Sequence, residues 1–306
     1  MNNLESVQNK RFLEIDFDLL MDLRIDYAFK LLFSKGNPRL LISLLNTIFA
    51  NKKIKRKIKS LTIKNPYLDK ESEKDKMSIL DIRAELDDGT IILIEMHMYG
   101  LGELKAKTIR SWARTYGEEL EVGGNYADQP PTISIAFTNG QIEPIEKSDK
   151  DKIHRLCMIM DCEDFTIFTD AMELHYIDMK AFANAVNEKG SININEETMF
   201  AKWLSIITQK EIINKAIIEN AYKDEEEIQM AVLTLARHGE DKITRQAYQR
   251  RKDEIYFYNK EKYEYEQEKY KYEQEKYEYE RKLEENRRKL EEKDALIAEL
   301  RLRLGD

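Results

Sequence analysis

Apolar and polar positions follow two different periods along this chain. From 19 to 50 the spacing is helical, interrupted at Gly36-Asn37-Pro38. Pro38 suits the first turn of a second helix, where its missing N–H costs nothing. Leu40, Leu41, Leu44, Leu45 and Ile48 then make one apolar stripe. After that the period falls to two. Residues 61–63 are β-compatible, and 77–98 reads as a hairpin. Its two apolar runs, 78–84 and 91–97, flank Asp87-Asp88-Gly89, a turn that favours antiparallel pairing. Gly100 and Gly102 break the chain before a helix predicted over 103–122, which Gly123-Gly124 ends. Pro130-Pro131 leads into a buried strand at 132–137, and 173–179 is a further strand. Helix, strands, helix, strand predicts an α/β sandwich over residues 19 to about 180.

From Asn195 onward only helix signals remain. Trp203, Ile206, Ile207, Ile212, Ile213, Ala216 and Ile217 recur at helical spacing, and 225–237 reads as another helix. The organisation expected is a mixed sheet flanked by helices (19–194), a helical region (195–252) and a heptad-repeat tail (253–306). In the tail, Ile255, Lys262, Lys269, Lys276, Leu283, Leu290, Ile297 and Leu304 share one heptad position. Tyr258, Tyr265, Tyr272, Tyr279, Asn286, Lys293 and Leu300 share the position three later. That a/d register runs without a stutter. One reading is a solvated helix held by Glu–Lys pairs. The other, favoured by the unbroken register, is a parallel homodimer through 283–304.

Composition narrows the function. Charged residues are 35% of the 306, above the usual ~25%, and are concentrated in the tail. The formal net charge of -8 gives no global basic field, although a local patch can still bind phosphate. Cys157 and Cys162 match no zinc spacing and read as thiols in a reducing compartment. No apolar run approaches the ~20 residues that cross a bilayer, and residues 1–18 lack a signal-peptide core. The expectation is a cytoplasmic protein with no membrane partner. Motifs of ATP-driven motors, serine hydrolases and zinc proteases are missing.

The chemistry centres on the hairpin. Asp81 and Glu95 interrupt its two apolar runs. A carboxylate on each of two paired strands can hold one hard cation, with the Met96 carbonyl as a third oxygen. An acid inside a strand as apolar as 91–98 is costly unless something pairs with it. His97, two residues beyond Glu95, shares its face and can orient water, carry a proton or contact phosphate. The run 52–59 places Lys52, Lys53, Lys55, Arg56, Lys57 and Lys59 within eight residues, suited to phosphate neutralisation. Arg110 and Arg114 share one helix face and can meet a nucleic-acid strand, or pair with Glu118 and Glu119.

Four pieces occur in order: Asp26-Tyr27-Ala28-Phe29-Lys30 with Phe33 and Leu44-Leu45-Asn46; Leu80-Asp81-Ile82-Arg83-Ala84 with Ile94-Glu95-Met96-His97; Arg110 and Tyr116 with Gly124-Asn125-Tyr126 and Pro131-Thr132-Ile133-Ser134-Ile135-Ala136; and Leu174-His175-Tyr176-Ile177-Asp178-Met179-Lys180 with Trp203. With these the chain, over 24–250, resembles the recombination-promoting nucleases, also called PD-(D/E)XK nuclease family transposases. The resemblance implies a restriction-endonuclease-like α/β core and Mg²⁺-dependent cleavage of DNA, with Mn²⁺ as a possible substitute. Asp81 and Glu95 would be the metal carboxylates. Asp26 matches the acidic residue of the first helix and would approach the metal through water. Lys30, one turn later, would contact phosphate. Two positions beyond the Glu such proteins usually carry Gln, and the wider superfamily Lys. His97 departs from both. The function expected is therefore a DNA endonuclease that promotes recombination or resembles a transposase. A catalytically silent DNA-binding or coiled-coil adaptor is the rival.

Overall fold

The computed structural model describes residues 15, 20–34, 38–50, 56–64, 82–98, 101–119, 123–142, 152–190, 199–213, 216, 219, 222 and 225–304. In chain order these form α1 (Asp26–Phe33), α2 (Pro38–Ala50), β1 (Leu61–Lys64), β2 (Ile82–Leu86), β3 (Ile91–His97), α3 (Leu104–Glu118), β4 (Thr132–Thr138), β5 (His154–Met160), β6 (Ile167–Asp178), α4 (Met179–Lys189), α5 (Met199–Ile207), α6 (Glu226–Glu240) and α7 (Lys242–Leu304). Single 3₁₀ turns precede α3 (Leu101–Glu103) and β4 (Tyr126–Asp128).

The described strands make one mixed sheet in the order β1-β2-β3-β4-β6-β5. β3, β4 and β6 run parallel, β1 and β2 extend one edge antiparallel, and β5 closes the other edge antiparallel. Helices cover both faces, so the central strand β4 is buried along its whole length. The β2–β3 hairpin turns where the sequence places it. Gly89 adopts a left-handed φ of 82°, Leu86 N–H donates to Thr90 O at 2.9 Å, and Asp88 Oδ1 accepts from Thr90 N–H at 3.0 Å. Asp178 caps α4 by accepting from Ala181 N–H at 2.9 Å, and Gly190 ends that helix at φ 64°.

One face of the sheet carries the main core. Ile82, Ala84, Ile92, Ile94, Ile133, Ile135, Phe137 and Ile177 pack against the stripes of α1 and α2, and against Trp203, Leu204, Ile206 and Ile207 of α5 and Ile228, Val232 and Leu235 of α6. The helices after Asn195 therefore share one core with those before it. Phe33 and Trp203 rings lie 5.7 Å apart, and Trp203 Nε1–H donates to Ser43 Oγ at 3.1 Å. The opposite face holds a smaller cluster of Ala136, Leu174 and Tyr176 under Leu104 and Trp112 of the α3 layer.

Two elements differ from the sequence expectation. β5 was not foreseen, and β6 begins at Ile167 rather than near 173. Both have physical reasons. Register shifts at Met158/Ile159 and Ile159/Met160 break the period-two pattern of the edge strand. The first half of β6 is only half covered, so its residues need not be apolar. Residues Met1–Arg251 form one compact unit and Lys252–Asp306 a second. The second is the exposed part of the 63-residue α7. The mixed sheet, its flanking helices and this long helix fit an α/β nuclease-like fold. Among the described residues no helix is long and apolar enough to cross a membrane.

Candidate active site

β3 changes character along its length. Ile91–Ile94 are buried on both sides, whereas Glu95, Met96 and His97 are half-buried where the strand leaves the core. Strand parity sends Ile92 and Ile94 to the main core and Leu93, Glu95 and His97 to the α3 face. There the two polar side chains meet. His97 Nε2 lies 2.7 Å from Glu95 Oε2, and each side chain is about one-sixth exposed (15% and 17%). This contact gives the costly acid of an apolar strand its partner.

Neighbouring strands complete the surroundings. Glu95 is in register with Ala136 and, one strand further, Tyr176. His97 is in register with Thr138 and then Asp178. A small cleft beside Glu95 is lined by Thr108 and Ser111 of α3 and by Ser134 and Ala136 of β4. Ser134 Oγ is buried there without a hydrogen-bond partner among the described residues. Burial pushes the Tyr176 hydroxyl above its ordinary pKa, its hydrogen bond with Thr108 opposes this, and nearby Cys157 and Glu95 add to the rise. Asp178 is likewise raised by burial, against hydrogen bonds from Ala181, Lys180 and Gly140. Trp112 fixes α3 over this face through Nε1–H, which donates to Thr132 O at 3.0 Å and Ala171 O at 3.3 Å. On the same face Arg83 of β2 pairs with Glu119 at the end of α3.

The other sequence candidates are dispersed. Asp81, Lys52, Lys53 and Lys55 lie outside the described residues. Asp26 and Lys30 sit on α1, whose Phe29 packs on Phe137 at 5.7 Å, on the sheet face opposite Glu95. The Asp26 carboxylate is held by Arg251, with Nε 2.9 Å and Nη2 2.8 Å from its oxygens. Arg56 turns inward to Glu173 at 2.7 Å, whereas Lys57 is exposed. Arg110 lies on the exposed surface of α3, and Arg114 pairs with Glu118 at 2.9 Å.

A buried polar chain on the main-core face escaped the sequence reading. Glu173 accepts from Arg56 at 2.7 Å and lies 3.3 Å from His175 Nε2, while His175 Nδ1 lies 2.9 Å from His154 Nε2. Phe49 and Phe200 pack on the two imidazoles. Burial pushes the Glu173 carboxyl up, but hydrogen bonds from His175 and Arg56 and their charge hold it below the usual range. The signal was the polar pair Glu173 and His175 at alternate positions of an apolar strand.

The donors at Glu95 fit part of a hard-cation site: carboxylate oxygens beside an imidazole. Among the described residues no group of three or more His, Cys, Asp or Glu gathers to hold a metal. A family model described as PD-(D/E)XK nuclease family transposase matches residues 23–266. Neither the curated proteins nor the solved structures searched give a match.

Proposed function

This chain belongs to the PD-(D/E)XK nuclease family transposases, and from that premise we propose that it is a divalent-metal-dependent DNA endonuclease acting in recombination or a transposase-like process. The observation that supports this most is the placement of Glu95. It is a partly covered carboxylate at the emerging end of a parallel strand, hydrogen-bonded to His97 and facing a small cleft. Open α/β sheets bind their ligands at such carboxyl ends of strands.

Glu95 and Asp81 are the proposed holders of the cation, Mg²⁺ by preference and Mn²⁺ as a substitute. The ladder pairs Ile82 with Ile94. Glu95 follows the second of these, and Asp81, its proposed co-ligand, adjoins the first in sequence. When bound, the cation neutralises the phosphate and makes water a better nucleophile. His97 orients that water through its ring nitrogen, in the role that Gln plays two positions beyond the Glu in similar proteins. Lys57 and Arg110, with Lys52, Lys53 and Lys55, are proposed phosphate contacts, whereas Arg56 is tied to Glu173 and Lys30 sits on α1, across the sheet from Glu95. Asp26, across the sheet from Glu95 and held by Arg251, is left out of the cation's holders in this scheme. Self-association through α7 supplies a second nuclease unit, which cutting both strands of a duplex calls for.

The test is supercoiled-plasmid cleavage by the full chain with and without Mg²⁺, alongside Asp81→Ala and Glu95→Ala. Both variants are expected to keep the wild-type circular dichroism and lose nicking by at least ~10². Undiminished nicking in both removes the site. A wild-type chain that neither cuts nor binds Mn²⁺ is the silent adaptor instead.

A further inference from the structure

α7 carries its apolar side chains in the open. Leu283, Leu290, Ile297 and Leu300 are between 48% and 61% exposed, and Tyr258, Tyr265, Tyr272 and Tyr279 between 66% and 68%. All eight belong to one a/d stripe, and such a stripe is buried by a second helix. We propose, resting on the self-association put forward above, that two copies of α7 pair antiparallel.

The charges beside the stripe set the direction. In the tyrosine half the flanking e and g positions are acidic: Glu268, Glu273, Glu275 and Glu280. In the leucine half they are mostly basic: Lys282, Arg287, Lys289, Arg301 and Arg303. A parallel, in-register pair sets Glu268 against the partner's Glu273, Glu275 against the partner's Glu280, and Lys282 against the partner's Arg287. Every one of these contacts is like-signed and occurs twice. It also stacks Lys269, Lys276 and Lys293 each on its own copy in the seam.

Reversing one helix removes the like-signed contacts of Glu268, Glu275 and Lys282 and parts Lys269 and Lys276 from their own copies. With Ile255 set against the partner's Leu300, the layers that follow are Tyr258 on Ile297, Tyr265 on Leu290 and Tyr272 on Leu283. Each exposed aliphatic residue then meets an aromatic or aliphatic one. The g positions now face each other as Glu275 with the partner's Lys282 and Glu268 with the partner's Lys289. Lys269 falls beside the partner's Asn286 and Lys276 beside the partner's Tyr279, whose ring accepts its stem. The costs are Lys262 facing the partner's Lys293 in the seam, Glu273 facing the partner's Glu280 and Lys252 facing the partner's Arg301. Each of these carboxylates already has a lysine on its own helix, Lys269 at 4.0 Å and Lys276 at 3.9 Å. The parallel expectation rested on the unbroken register through 283–304, and the charges beside the tyrosine half reverse its direction.

Spin labels read the direction in the full chain. Cys157 and Cys162 are replaced by serine, and one label is attached through Tyr263→Cys or Glu278→Cys, both on the outer face of the stripe. Antiparallel pairing puts the Tyr263 labels about 45 Å apart, at 1.5 Å per residue, and the Glu278 labels, near the dyad, about 20 Å apart. Light scattering on the same samples gives the mass. A dimer with the long and the short distance supports the proposal. A dimer with short distances at both positions is parallel, which overturns the direction and leaves self-association standing. Long distances at both place the contact elsewhere and overturn the proposal. A monomeric mass removes self-association and the direction with it.

Discussion

His97 Nε2 and Glu95 Oε2 meet at 2.7 Å on the α3 side of β3. The contact ties the proposed metal-holding carboxylate to the residue two positions along the same strand. Because an imidazole and a carboxamide both offer a hydrogen bond at this reach, His97→Gln is expected to keep plasmid nicking within about tenfold of wild type. His97→Ala should lower nicking by about 10². The pH–rate profile separates orientation from proton transfer. If His97→Gln abolishes nicking, the ring does more than offer a hydrogen bond and the orienting role is wrong.

Arg251 grips Asp26 with two nitrogens across 225 positions of sequence. The pair is part-exposed, 43% for Arg251 and 18% for Asp26, so its coupling should be modest, about 1 kcal/mol. A double-mutant cycle of Asp26→Asn and Arg251→Ala, read by urea unfolding, measures it. The geometry assigns the pair to fixing α1 against the start of α7. Asp26→Asn should accordingly leave nicking within about threefold of wild type once the protein is folded. Loss of nicking comparable to Glu95→Ala would return Asp26 to the catalytic set.

The hairpin, its Asp-Asp-Gly turn and the shared face of Glu95 and His97 were all readable in the sequence because they depend on local alternation alone. The partners on that face were not. Ser134 and Tyr176 come to that face through the β3–β4 and β4–β6 registers, and nothing local to a strand fixes its pairing with a distant parallel one. The meeting of His154 with His175 was not legible because register shifts hide β5. The basic run was over-read in one place: Arg56 is spent on Glu173, while its neighbour Ile58 is pinned by Asn46 through both backbone groups, at 2.7 and 3.0 Å.

Glu173 makes stability depend on acid. Burial opposes its charge, yet His175 and Arg56 hold its folded pKa below the ordinary value. A depressed carboxylate stabilises the fold above the unfolded value of ~4.3, and that contribution is lost as pH falls through the lower folded value. Glu173→Ala is expected to cost roughly 3 kcal/mol at pH 7, because the Arg56 guanidinium and the buried His175 lose their carboxylate. The gap between wild type and variant should shrink steadily below about pH 4. Urea denaturation at pH 7, 5 and 3.5 checks both the size and the trend, and a gap constant with pH would show that only packing was lost.

Trp203 joins the late helices to the first two. Its side chain is fully buried, its ring lies 5.7 Å from Phe33, and its Nε1–H reaches Ser43 Oγ on α2. Trp203→Ala removes both the ring volume and the bond, and should cost about 3–5 kcal/mol. Trp203→Phe keeps a ring beside Phe33 and loses the donor, whereas Ser43→Ala loses only the acceptor and should cost about 1 kcal/mol. If α5 and α6 belong to the same cooperative core as α1 and α2, each variant lowers the midpoint of one shared transition, followed by circular dichroism and by Trp112 fluorescence. A variant in which Trp112 reports the wild-type midpoint while helix is lost earlier would separate the late helices into a unit of their own.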